Sequence, residues 1–209
     1  MPTRDPVKTA PADHRDRPDG RAARRERTHT AIVEALRSLL EAGELRPTTE
    51  AIAARADVSE RSIFQHFPDR ETLLLAIAEH QRERVIALMQ PICPDGALAR
   101  RLDEIAAQRA RVWEEVTPVR RAALLNEPFS AAIHEGLRGF RAINHDEICT
   151  VFANELDAMG ADERQTVLAA MAAVAEWPFW ESLRAHQGLS VPEATASLRR
   201  ALASLVGAA

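Results

Sequence analysis

Apolar residues recur along this chain with the period of an α-helix, and they do so from end to end. Ile32, Ala35, Leu36, Leu39 and Leu40 fall at i, i+3, i+4, i+7 and i+8, one stripe of a 3.6-residue repeat. The stripe predicts a first helix from about Arg24 to Ala42, stopped by Gly43, since glycine readily takes the left-handed conformation of a helix end. A later helix starts after Asp69, a good cap, and runs to about Gln90, where Pro91 and Pro94 prevent its continuation. Leu98, Leu102, Ile105, Arg109, Val112 and Val116 mark another, broken near Thr117-Pro118 and resumed to Leu125. From Pro128 a helix reaches Met159 with Ile133, Leu137, Phe140, Ile148 and Phe152 along one side, and Gly136 and Gly139 are points where it can bend. Asp162 with Gln165 reads as a capping box for a helix to His186, and Ser190 with Glu193 as a box for a last helix to about Val206. No stretch alternates with the period of a strand, so the fold class is all-α.

Between the first and fourth helices the pattern shortens. Thr48 or Thr49 can cap a helix with Ile52, Ala53 and Ala56 on a small apolar face. Ala56-Asp57-Val58 forms a turn, and Ser59 caps the next helix. There Ile63 and Phe67, four apart, point to the core, while Glu60, Arg61, Ser62, Gln65 and His66 face outward. Two short helices, a tight turn and one polar helix face are the parts of a helix-turn-helix, which lays its second helix in the DNA major groove.

The stretch Thr48–Leu74 resembles the DNA-binding domain of the TetR family of transcriptional regulators. The likeness extends upstream through Arg27, Ala31, Ile32, Ala35, Leu36, Leu39 and Gly43, and downstream through Phe67-Pro-Asp-Arg-Glu-Thr-Leu-Leu74. It implies a three-helix DNA-binding head over residues 23–69 and a helical ligand-binding and dimerisation body over 70–209, joined by a long helix. Ser59, Glu60, Arg61 and Ser62 lie at the end of the recognition helix that reaches base edges. Arg61 can donate twice to guanine, Gln65 can pair with adenine and Glu60 can accept from cytosine. By resemblance Thr48, His66 and Arg70, with Arg27, hold the phosphate backbone. Two positions depart from the family. Phe64 stands where most members have the tyrosine whose phenol reaches a phosphate, and Asp57 where most have a turn glycine. Aspartate tolerates left-handed backbone better than most residues, at some cost in stability.

Net charge changes the picture only locally. The chain of 209 residues carries −4 overall. Residues 1–90 hold 15 Lys+Arg against 15 Asp+Glu, and residues 91–209 hold 12 against 16, which together make the totals of 27 and 31. Any DNA-attracting surface must therefore be a patch. Residues 1–22, rich in Pro, Asp and Arg, read as a disordered tail. Its arginines, continuing to Arg24 and Arg25, could reach DNA, or the segment is a solubilising leader. The two cysteines, Cys93 and Cys149, have no metal-ligand spacing. With no apolar run long enough to span a bilayer and no signal segment, the expected location is the cytoplasm.

The body offers less. The resemblance implies a small effector that shifts two DNA-binding heads of a homodimer. Val85, Leu88 and Met89 on the connecting helix, opposite Trp113, Phe140 and Trp177, are candidates for the pocket wall. His134 and Asn144 are polar candidates on a helix whose other face is apolar. Few carboxylate-binding or metal-binding clusters stand out, so an uncharged or weakly polar, mostly apolar ligand is expected. Trp177-Pro178-Phe179-Trp180 suggests a kink that can line a pocket or fit a helix to its neighbour. The dimer seam is expected on the last two helices, through Val167, Met171, Val174 and Leu183 on one and Leu198, Ala201, Leu202 and Leu205 on the other. The expected role is a ligand-responsive repressor on a pseudo-palindromic operator, with no cofactor. The competing classes are an architectural DNA-binding protein without an effector and a helical-bundle enzyme. For the latter the chain lacks a Gly-rich phosphate loop, a His-Glu-x-x-His zinc motif and a Gly-x-Ser-x-Gly elbow.

Overall fold

The computed structural model of the chain describes residues 20–207. The tail expected over residues 1–22 therefore lies mostly outside the described residues, but its end does not: α1 spans Gly20–Glu41, so the first helix starts four residues before Arg24. Gly43, at φ +90°, turns the chain out of it, with Gly43 N–H donating to Leu40 O and Glu44 N–H to Leu39 O, each at 3.0 Å. Then follow α2 (Thr49–Ala56), α3 (Glu60–His66) and α4 (Arg70–Leu88). Asp69 caps α4 by accepting from Thr72 N–H at 2.7 Å, and these bonds hold its carboxyl below the usual carboxylate range.

The body comprises α5 (Leu98–Leu124), α6 (Ala131–Val151), α7 (Ala153–Asp157), α8 (Ala161–Ala175), α9 (Trp177–Glu181) and α10 (Val191–Leu205). A single 3-10 turn, Glu127–Phe129, precedes α6, and a π turn, Ser182–His186, extends α9. No strand occurs among the described residues.

The two helix-breaking prolines act opposite to their sequence reading. Pro118 sits inside an unbroken α5. A proline there removes a backbone donor and crowds the preceding turn. Side chains bond the carbonyls on either side of Glu114, the residue that loses its helical donor: Thr117 Oγ1 donates to Trp113 O at 2.6 Å and Gln81 Nε2, buried on α4, to Glu115 O at 2.9 Å. Pro178, by contrast, ends the helix expected to run on to His186. Glu176 is extended, at φ −82° and ψ 159°, and α9 begins with the proline in its first turn, where its missing N–H costs little. The Trp113 indole donates to Ala175 O, at the break, at 3.2 Å. Two smaller expectations also change. The helix from Pro128 to Met159 is divided at Phe152 into α6 and α7, and α8 has no capping box: its cap is Gly160, with Asp162 already in the first turn. The Ser190/Glu193 box is present in full.

Two apolar cores result. One gathers Ile32, Leu36 and Leu40 of α1, Ile52 of α2, Ile63 of α3, and Leu74 and Ile77 of α4. It does not close at residue 69, because Val119 and Ala122 of α5 and Ile133 of α6 belong to it too. The other joins Val85 of α4, Ile105, Trp113 and Val116 of α5, Ile148 of α6, Met171 of α8 and Leu198 and Leu202 of α10. Helices α4, α5 and α6 thus feed both cores.

Asp57, at φ 54° and ψ 47°, is the one non-glycine residue with positive φ among the described residues. Its backbone N–H bonds to Ala53 O, which fixes the left-handed turn between α2 and α3. Asp57→Gly removes the strain of a Cβ in this conformation and is expected to raise stability by about 0.5–1 kcal/mol, read by urea denaturation. A loss of stability would contradict the assignment of strain to this turn.

Candidate nucleic-acid interface and the cavity behind it

The short helix α3 buries one side chain, Ile63, and Phe67 just beyond its end anchors the other side of that turn. Everything else on α3 is presented outward, at least in part. Ser59 caps it by accepting from Ser62 N–H at 3.2 Å, and the Ser59 and Ser62 hydroxyls bond to each other at 2.9 Å. These two serines are engaged in building the helix start. Glu60, Arg61 and Gln65 are exposed and make no hydrogen bond or ion pair with the described residues. Phe64, 57% exposed, adds an apolar ring to the same face. A guanidinium and an amide, both without internal partners on the leading face of a capped helix, are suited to donate to base edges.

The flanking residues divide by role. Thr48 Oγ1 caps α2 by accepting from Ala51 N–H at 3.1 Å, and its own hydroxyl hydrogen remains to donate. Arg70 donates to Pro47 O at 3.2 Å and Leu45 O at 3.5 Å, tying the α1–α2 loop to the start of α4. Burial, then the charge of Arg46, lowers its pKa from the ordinary arginine value. Arg46 itself is exposed in that loop, and the sequence reading passed it over because a loop carries no periodicity. Arg27 lies on a shallow groove with Arg24, Ala56 and Asp57, on the α1 side of the turn. His66 is half-buried beside His29 and Phe67. Burial, with His29 and Arg25 adding to it, holds its ring below the usual imidazole range. As a neutral imidazole it keeps one N–H to offer a phosphate.

Behind this head a cavity of about 280 Å³ opens among α4, α5 and α6. Leu74 and Val85 line it from α4, Val116, Val119 and Arg120 from α5, and Ile133, Leu137 and Phe140 from α6. Leu74, Val119 and Ile133 belong to the head core, and Val85 and Val116 to the body core, so the cavity lies on the seam between them.

Of the ligand candidates read from sequence, only Val85 and Phe140 reach this cavity. Leu88 and Met89 pack against the body core instead. Trp113 is fully buried with its N–H on Ala175 O, and Trp177 is buried with its N–H on Thr117 Oγ1 at 2.9 Å. His134 is on the surface, 3.1 Å from Glu127 Oε1. Asn144 is buried, donating to Glu176 Oε1 at 3.2 Å. The seam candidates for a dimer divide as well. Met171, Leu183, Leu198 and Leu202 are buried within the chain's own core, because α10 packs on α5 and α8, and so are not free to meet a second copy. Val167, Val174, Ala201 and Leu205 remain partly exposed.

Among the described residues, no group of three or more His, Cys, Asp or Glu could hold a metal ion, and no helix is long and apolar enough to cross a membrane.

Comparison with known proteins agrees with this geometry. Residues 32–77 match the family model described as bacterial regulatory proteins, tetR family. No curated protein matches the chain in a sequence search. Among solved structures, a transcriptional regulator from Rhodococcus sp. Rha1 is similar at 17% identity and a TM-score of 0.64, over 88% of this chain and 96% of that one. Another from Rhodococcus sp., assigned to the TetR family, gives 19% identity and a TM-score of 0.64 over 87% and 99%. A TerR/AcrR-family transcriptional regulator from Aquifex aeolicus VF5 gives 16% and 0.56 over 85% and 99%. At these identities the likenesses establish the shared fold, and the family match covers the head. With that match spanning α2, its left-handed turn and the outward-facing α3, residues 32–77 form a helix-turn-helix head of the tetR type found in bacterial regulatory proteins.

Proposed function

We propose that this protein is a ligand-responsive repressor that binds a pseudo-palindromic operator as a homodimer in the cytoplasm. The observation that carries the proposal is the placement of the cavity on the seam between the two cores. A ligand can release DNA only if it binds the DNA-incompetent arrangement more tightly than the competent one. Filling a space lined by both Leu74 of the head core and Val85 of the body core acts on the helix that spans them, α4. On this reading the head is residues 23–69, with α4 as the lever into a ligand-binding and dimerising body. An architectural DNA-binding protein without an effector has no use for such a cavity.

The dimer reading rests on what the chain leaves uncovered. After its first turn α8 is almost wholly apolar or small, yet only Met171 and Ala175 of it are buried. Val167, Ala170 and Val174 are partly exposed, and Ala169 and Ala173 are exposed. Small side chains let two helices approach closely, so this face of α8, with Ala201 and Leu205 of α10 beside it, is the proposed seam.

Arg61→Ala is expected to cost about 1–3 kcal/mol on the selected operator, concentrated at one base pair of each half-site. Gel-shift titration at fixed salt over single-base operator variants reads this, and an equal loss on every sequence would make Arg61 a phosphate contact. Ala173→Glu places a charge in the proposed seam without touching the monomer core. It should weaken self-association by at least about 1.4 kcal/mol, a tenfold change, in sedimentation equilibrium. An unchanged dimer would remove α8 from the interface.

A further inference from the structure

Helix α5 carries Arg101, Arg109 and Arg120 on its buried side. Burying a guanidinium is costly unless its donors are met, and the first of these arginines is fully met. Arg101 donates to Glu155 Oε1 at 2.5 Å and Oε2 at 2.7 Å, to Val151 O at 2.7 Å and to Gly96 O at 2.8 Å. Arg109 pairs with Glu147 at 2.7 Å and reaches Asn144 O at 3.4 Å, while its Nε and Nη1 and the paired Glu147 Oε2 form no hydrogen bond. Arg120, nearest the seam, makes no hydrogen bond with any described residue. Its closest carboxylate is Glu176, at 3.9 Å, and the facing atom, Glu176 Oε2, is also without a hydrogen bond.

Arg120 is only 6% exposed and lines the cavity. The rings of Phe140 and Trp177 lie 5.5 and 5.8 Å from its guanidinium carbon. Aromatic packing of this kind holds the plane of a guanidinium and leaves its N–H edge for a planar partner. Burial lowers the pKa of Arg120, Glu176 and Glu127 oppose that, and Arg141 adds to it; an arginine stays charged throughout. The remaining cavity walls are mainly aliphatic, apart from Gln81, committed to Glu115 O, and the Glu79–Arg82 ion pair, both of whose members are well exposed.

We propose that the seam cavity is a site for an organic carboxylate: one carboxylate received by the Arg120 guanidinium, carried on an apolar body that fills the space between Leu74, Val116, Ile133 and Leu137. This rests on the ligand-responsive reading and specifies its ligand class, replacing the uncharged compound expected from sequence. Carboxylate and guanidinium match as planar, two-point partners, and the burial of Arg120 strengthens the pairing. Glu176 is the internal competitor that leaves the site occupied by half a partner when no ligand is bound.

The test uses matched pairs of equal size and different charge, phenylacetate against phenylacetamide and octanoate against octanamide. Binding is read from the fluorescence of Trp177 and Trp113, and operator affinity is measured in parallel. At least one carboxylate should bind tenfold or more tightly than its amide. Arg120→Met, an apolar replacement of similar length, should abolish that preference while amide binding persists, and Arg120→Lys should restore part of it. Glu176→Gln, which keeps the Asn144 hydrogen bond but removes the competing charge, should tighten carboxylate binding at least threefold. It gives an answer of opposite sign even if Arg120→Met does not fold. Equal binding of acid and amide, a preference that survives Arg120→Met, no effect of Glu176→Gln, or no binding of either pair at millimolar concentration would overturn the assignment and leave Arg120 and Glu176 as a buried structural pair. Amides that bind and release the operator as well as the acids would sink the ligand class and keep the switch. Carboxylates held by Arg120 with no change at the operator would keep the site and sink the switch.

Discussion

The fold depends on α4, α5 and α6 each serving two cores. Leu74 and Ile77 of α4 belong to the head and Val85 to the body; on α5, Val116 and Val119 divide the same way across Pro118; on α6, Ile133 and Ile148 do so. Interiors are close-packed, so an element shared between two cores cannot adjust to one without disturbing the other. The small head, α1 to α3, has no closed core without these helices. It is mechanically continuous with the body, which is the physical requirement for an event in one to be felt in the other.

Polar groups fix where that continuity can give way. The Gln81 amide donates to Glu115 O and the Thr117 hydroxyl to Trp113 O, the carbonyls on either side of Glu114, whose own helical donor is missing at Pro118. The Gln81 bond pins α4 to α5 at the level of the seam, and leaving such groups unpaired would cost about 1–3 kcal/mol each. Arg121 pairs with Glu181 at 2.8 Å, and Arg184 with Glu114 at 2.9 Å, so α5 is clamped to the α9 region as well. Arg109 and Glu147 keep buried atoms without hydrogen bonds away from the cavity lining, but Arg120 is such a charge on the cavity wall, with Glu176 facing it. The cavity beside them is the place where the frame is incomplete.

Much of the head was legible from sequence because its signals are local. The Ile32-to-Leu40 stripe, the Thr48, Ser59 and Asp69 caps, Gly43 and the Ile63/Phe67 pair each act over three to eight residues, and each occurs as read. The body was legible only where a signal was equally local, as in the Ser190/Glu193 box. Pro118 and Pro178 exchanged roles because what decides them is remote: Gln81 arrives from another helix, and the Trp113 indole reaches the break at Ala175 across 62 residues. The aromatic residues chosen for a pocket proved mostly to be core, as large apolar side chains usually are. Arg120 was overlooked because arginine suggests a solvated face. Its position four residues after Val116, in phase with Ile105, Arg109 and Val112, was the signal that it faces inward.

The central claim is that the state of the seam cavity sets the affinity of α3 for DNA. It is tested most directly without any ligand, by filling the cavity from within. Ala123 lines it on α5, and Ala123→Phe puts a ring into the space. Operator affinity of this variant, measured at fixed salt with head folding and dimerisation verified separately, should fall by roughly 5- to 150-fold, the range of a typical allosteric coupling. A folded, dimeric variant with its cavity filled and its operator affinity unchanged would contradict the account.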